Sequence, residues 1–111
     1  MGSTPTAVGY LRKDVSDVHQ PWDETQIRTL AKRFGYELIK TVVFGPATDD
    51  PEWRLVNVVR ALRVDAVITP SLAHFGGEVP ATLVGTCELN TVTPQATYTR
   101  RYDEIRRATG A

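Results

Sequence analysis

Apolar positions along the chain switch between two rhythms, and the switches divide it into alternating strands and helices. Ala7-Val8-Gly9-Tyr10-Leu11 is a short apolar run after a Ser/Thr/Pro start, and it predicts a buried strand near residues 6–12. The polar stretch from Arg12 to Asp23 contains Pro21 and few periodic apolar positions, so it reads as a loop. Ile27, Leu30, Ala31 and Phe34 then fall at i, i+3, i+4 and i+7, one face of an amphipathic helix over residues 23–34. Asp23 is placed to cap its start and Gly35 to follow its end. Tyr36 to Phe44 is rich in β-branched and aromatic residues and reads as a second strand, stopped by Gly45-Pro46. Asp50 followed by Pro51 predicts a helix start, a capping carboxylate and then a proline whose missing N–H costs nothing there. Leu55, Val58, Val59 and Leu62 mark its buried stripe to about residue 63. Asp65 to Thr69 is a third strand, too uniformly apolar to have a wet face.

Beyond Pro70 the pattern predicts a short helix within residues 80–88 and a fourth strand over 89–93. Tyr98, Tyr102 and Ile105 predict a terminal helix near 97–108, with Arg100, Arg101, Arg106 and Arg107 around them. Those arginines are interleaved with Asp103 and Glu104, which marks a solvated face rather than a nucleic-acid patch. The alternation implies right-handed βαβ units and an α/β fold with a mostly parallel sheet. Leu30, Phe34, Val43, Val59, Leu62 and Ile68 are the expected core.

Length and charge narrow the picture. At 111 residues the chain suits one domain over residues 1–111, and a hydrophobic fraction of 41% argues against disorder. Thirteen basic side chains balance thirteen acidic ones, which excludes a wholesale electrostatic binder of nucleic acid. No apolar run approaches the roughly 20 residues of a membrane span, and no signal peptide is read. Cys87 is the one cysteine, so neither a disulfide framework nor a cysteine-based metal site is expected. These features point to a cytoplasmic protein with no cofactor and no metal.

In open α/β sheets ligands sit beyond the carboxyl ends of the strands, which singles out the segments after Leu11, after Phe44 and after Pro70. Ser71 and His74 with Asp65 are the nearest approach to a hydrolase triad. Asp65 begins a strand and Ser71 follows its end, about 15–20 Å away by strand rise, so the triad fails. His74 and Ser16 read as solvated loop residues, and His19 has no partner for a metal. Gly76-Gly77 lacks the lysine and helix start of a phosphate loop and reads as a turn. Trp22 and Trp53 read as core or rim packing rather than stacking platforms.

Three segments, in order, resemble the catalytic domain of the resolvase/invertase class of serine recombinases. Gly9-Tyr10-Leu11-Arg12 is similar to the family's opening Gly-Tyr-x-Arg-Val-Ser, and Gln26-Ile27-Arg28-Thr29-Leu30 to its glutamine-containing first helix. Asp65 and Leu72 match the Asp-x6-Leu frame that leads into the Leu-Asp-Arg-Leu-x-Arg motif. The resemblance covers about residues 7–77 and implies a flavodoxin-like three-layer sandwich. It also implies what is missing. The position of the nucleophilic serine falls on Asp14, the Asp-Arg pair after Leu72 on Ala73 and His74, and the next arginine on Gly77. The arginine at the start of the second helix falls near Asp50 or Pro51, so Arg12 alone is retained.

Arg12, Asp14, Ser16, Ser71 and His74 therefore form a degenerate site with no catalytic residue. On an extended strand Arg12 and Asp14 share a face, and their pairing is expected to replace the phosphate. The expected function is a regulatory or protein-binding module, with a protein partner, a second copy of the chain among the candidates, and weak or absent DNA binding. The alternative is an active recombinase, or a DNA-associated accessory factor, using Arg12 with Asp14 or Ser16.

Overall fold

The computed structural model describes residues 3–100, and the protein is an α/β sandwich. In chain order it runs β1 (Thr6–Arg12), α1 (Lys13–Ser16), a 3-10 turn (Asp17–His19), α2 (Gln20–Arg33), β2 (Glu37–Phe44) and α3 (Pro51–Leu62). It continues with β3 (Ala66–Thr69), a second 3-10 turn (Leu72–Phe75), α4 (Ala81–Val84), β4 (Glu88–Thr91) and β5 (Ala96–Tyr98). The strands lie in the order β2-β1-β3-β4-β5, all parallel except the final β4–β5 pair. Order and helix placement define the flavodoxin-like arrangement.

The two central strands explain the apolar runs, because Ala7 to Leu11 and Ala66 to Thr69 are buried throughout. Val8, Tyr10 and Val67 face Leu55, Val56 and Val59 of α3 and Leu83 of α4 on one side of the sheet. Ala7, Leu11, Ala66 and Ile68 face Ile27, Leu30 and Ala31 of α2 on the other. The second side is the tighter one. A Cβ on Gly9 would lie 2.7 Å from Thr41 Oγ1 and 2.8 Å from Ile27 Cγ2, so only glycine lets α2 settle this close.

Gly35 ends α2 as expected, at φ +78, with Tyr36 N–H donating to Ala31 O at 2.9 Å and Gly35 N–H to Lys32 O at 3.2 Å. The start of α2 differs from the expectation. The segment after Arg12 is helical rather than a loop, and α2 begins at Gln20 with Pro21 in its first turn, leaving Asp23 inside the helix and not at its cap. Its apolar rhythm is faint because this segment lies on the surface, with Ser16 its one buried residue before Ile27. Asp50 does precede α3, but in the left-handed conformation (φ 47) and with no side-chain cap bond.

Val43 and Leu62 are not core, at 39% and 41% exposed, and Phe34 is half-buried. Val43 lies on β2, an edge of the sheet, and Leu62 ends α3, whose inward face is rotated toward Val56. The short helix is trimmed to Ala81–Val84, and the fourth strand to Glu88–Thr91. Tyr98 belongs to β5 rather than to a terminal helix, and the remainder of that expected helix lies outside the described residues. No helix among the described residues is long and apolar enough to cross a membrane.

Leu30→Ala and Leu55→Ala should each cost about 2–5 kcal/mol in urea unfolding, because both side chains are enclosed. Leu62→Ala should cost under about 1 kcal/mol, and equal losses at all three positions would contradict the burial assignment.

Candidate functional site

The chain leaves β1 toward β2 over one face of the sheet through α2, and returns from β2 to β3 over the other face through α3. β1 and β3 therefore flank the point where the winding reverses, and the crevice beyond their carboxyl ends is where such sheets bind ligands. The β1–β3 ladder ends at Gly9 and Ile68, after which the strands part.

His74 fills the gap. Ser71 Oγ accepts the Ala73 N–H at 3.3 Å, starting the 3-10 turn that carries the imidazole back under the end of β1. There His74, 3% exposed, accepts the Arg12 backbone N–H on Nδ1 at 2.9 Å, which requires the proton to be on Nε2. The solvated His74 expected from sequence is thus corrected to a buried one. Burial lowers its pKa, Asp23 opposes that shift, Arg12 adds to it, and Asp14 again opposes.

The imidazole divides the crevice into two cavities. One, of about 500 Å³, is lined by Tyr10, Arg12, Asp50, Glu52, Trp53 and Phe75 among others. The other, of about 670 Å³, is lined by Ser16, Trp22, Asp23, Gln26, Ser71 and Val92 among others. Among the described residues, Arg12 is the one lysine or arginine on either lining.

Arg12 meets Asp14 side-on, with Nη2 donating to Oδ2 at 2.9 Å and Nε to Oδ1 at 3.2 Å. The expected pair therefore exists, although it forms around the strand-to-helix junction rather than along a strand face. Both side chains are about a third exposed (27% and 32%), so the pair adds less than about 1 kcal/mol to stability. Its consequence is electrostatic: the Asp14 carboxylate neutralises the guanidinium beside the first cavity.

Ser16 is buried (3% exposed), not a loop residue, and its Oγ donates to Asp23 Oδ2 at 2.6 Å, tying α1 to α2. It lies in the opposite cavity from Arg12, beside Ser71. Asp65 lies at the far end of the sheet, where Oδ2 accepts the Thr6 N–H at 2.8 Å, so the Ser71–His74–Asp65 triad is indeed not assembled. Gly76 and Gly77 form a left-handed turn, and no metal-binding group of side chains occurs among the described residues. Trp22 and Trp53 are rim residues, 62% and 51% exposed.

Sequence reasoning missed two features of the first cavity. Tyr10, which alternation places in the core, stacks on Phe75 (centroids 4.8 Å apart) and meets Phe44 edge-on, yet its hydroxyl has no hydrogen-bond partner. Burial, with smaller contributions from Asp14 and Glu52 against Arg12, pushes this phenol up to about 12. The second is Asp50, whose carboxylate lines the cavity instead of capping α3. Family models, curated proteins and solved structures give no match to the chain.

His74 generates a pH prediction. Below its ordinary value of 6.5 the unfolded chain takes up a proton that the folded protein refuses, so stability is full above that pH and falls as pH drops toward the lower folded-state value. Urea midpoints should decline across this window. The His74 ring protons should titrate by NMR below 6.5, and a midpoint at or above that value would contradict the assignment.

Proposed function

We propose that this domain is a catalytically inactive, serine-recombinase-like module that regulates or binds another protein. The observation that carries the reading is the side-on Arg12–Asp14 pair in a crevice lined by no other lysine or arginine among the described residues. Cleavage of a phosphodiester develops negative charge on phosphate oxygens, and each preorganised donor removed from such a site costs about 3–4 kcal/mol of transition-state stabilisation. Here the retained guanidinium is already occupied, and Asp50, Glu52 and Asp23 repel an approaching phosphate. A protein partner, or a second copy of the chain, suits such a surface better than DNA. A reducing cytoplasmic setting fits a chain with one cysteine.

One observation favours a second reading, DNA cleavage through Ser16: its hydroxyl lies 2.6 Å from Asp23, a ready acceptor for the proton of a nucleophile. Incubation with supercoiled plasmid separates the two. The expected outcome is neither nicks nor a protein–DNA adduct that survives denaturant, and nicking abolished by Ser16→Ala would establish the second reading instead. Asp14→Ser should release Arg12 and raise DNA affinity at low salt, an increase that added salt removes.

A further inference from the structure

We infer that the cavity between β1 and the start of α3 is a receptor for an arginine side chain presented by a partner polypeptide. The inference deepens the reading of the crevice as a protein-binding site and rests on it.

The cavity is rich in acceptors that the protein itself leaves unused. Asp50 and Glu52 flank Pro51 at the entry to α3, and neither is in an ion pair among the described residues. Among the described residues the Asp50 carboxylate makes no hydrogen bond, and Glu52 uses only Oε2, which accepts the Thr82 N–H at 3.2 Å and so holds the carboxylate in place against α4. The positive end of the α3 dipole offsets part of this charge but supplies no bond to Asp50. Arg12 contributes little opposing charge because Asp14 neutralises it.

An independent observation comes from inside the cavity. Tyr10 is 1% exposed, lines the cavity, and carries a hydroxyl without a partner among the described residues. The ring is enclosed while the hydroxyl opens into the cavity, and an unpaired hydroxyl beside two carboxylates outside any ion pair among the described residues points to a ligand with several donors. With its pKa near 12 the phenol stays protonated and can accept a donor on its lone pairs. Tyr10, Phe75 and the rim residue Trp53 supply aromatic surface around the same space.

Several N–H donors, a positive charge and a flat apolar face together describe a guanidinium. It forms two parallel bonds to a carboxylate and stacks on aromatic rings, whereas an ammonium offers a point charge and no plane. The Trp53 ring already accepts one: Arg60 Cζ lies 5.7 Å from its centroid. A cavity of about 500 Å³ has room for the aliphatic stem as well as the head.

The test uses the whole chain with Trp22→Phe, so that fluorescence reports on Trp53 alone, titrated with Nα-acetyl-arginine amide. Saturable binding is expected, tighter than that of Nα-acetyl-lysine amide and weakened by salt. Asp50→Asn, which tolerates the left-handed backbone, and Glu52→Gln, which keeps an acceptor for Thr82, should each weaken it about tenfold. Tyr10→Phe should weaken it severalfold. Lack of saturation, affinity in both carboxylate variants unchanged from that of the parent chain, or preference for inorganic phosphate over the arginine probe would overturn the inference. Such a failure with plasmid left intact removes only this inference, while nicked plasmid removes the reading on which it rests.

Discussion

The bond from the Arg12 N–H to His74 Nδ1 governs the arrangement of the whole carboxyl end of the sheet. Where the β1–β3 ladder stops at Gly9 and Ile68, β1 still has amides that need acceptors, and the imidazole takes the role of the missing strand. That substitution allows β1 and β3 to part without leaving a buried N–H unpaired, an omission that would cost about 1–3 kcal/mol. It also seats a side chain in the middle of the crevice, which is why two cavities exist rather than one. The charge state of this single ring is therefore coupled to the backbone that aims Arg12.

Features that depend on local backbone were legible in the sequence. The wholly apolar runs of β1 and β3 demanded burial on both faces, and Gly35 and Pro51 punctuate the helices as their restricted or permissive φ requires. Features that depend on reach were not. A carboxylate before a helix caps only if the backbone turns it inward, and Asp50, in the left-handed region, does not. Periodicity marked Leu62 and Val43 as apolar face positions but carries no information about where a sheet ends or how far a helix is rotated. The Arg12–Asp14 pair could be anticipated because the two lie only two positions apart. The joining of Arg12 to His74 across 62 positions could not: the apolar Leu72, Ala73 and Phe75 around His74 do not name its partner, and the burial of Ser16 depends on Asp23 seven positions on.

Globally the chain is neutral, with thirteen charges of each sign, yet neutrality is distributed unevenly. Three cations on β1 and α3 are committed internally: Arg12 to Asp14, Arg54 Nε to the Asp49 carbonyl, and Arg60 to the Trp53 ring. The carboxylates are not committed in the same way. A phosphate-binding crevice needs the opposite allocation, with free cations and buffered anions. Substituting Asp14 or Asp50 thus makes the first cavity less negative without touching the core that supports it.

The register shift between β1 and β2 has a separate bearing on behaviour in concentrated solution. β2 forms one edge of the sheet among the described residues, and such an edge presents backbone groups on which a foreign strand can template. Ile39 is 44% exposed there, so the edge is not shielded by polarity alone. The irregularity opposite Ala7 and Val8 interrupts the flat run, and the flanking charges of Glu37 and Lys40 penalise a partner strand of like sequence. The same kink that fits β2 to its neighbour thereby discourages fibrillar stacking from the outside.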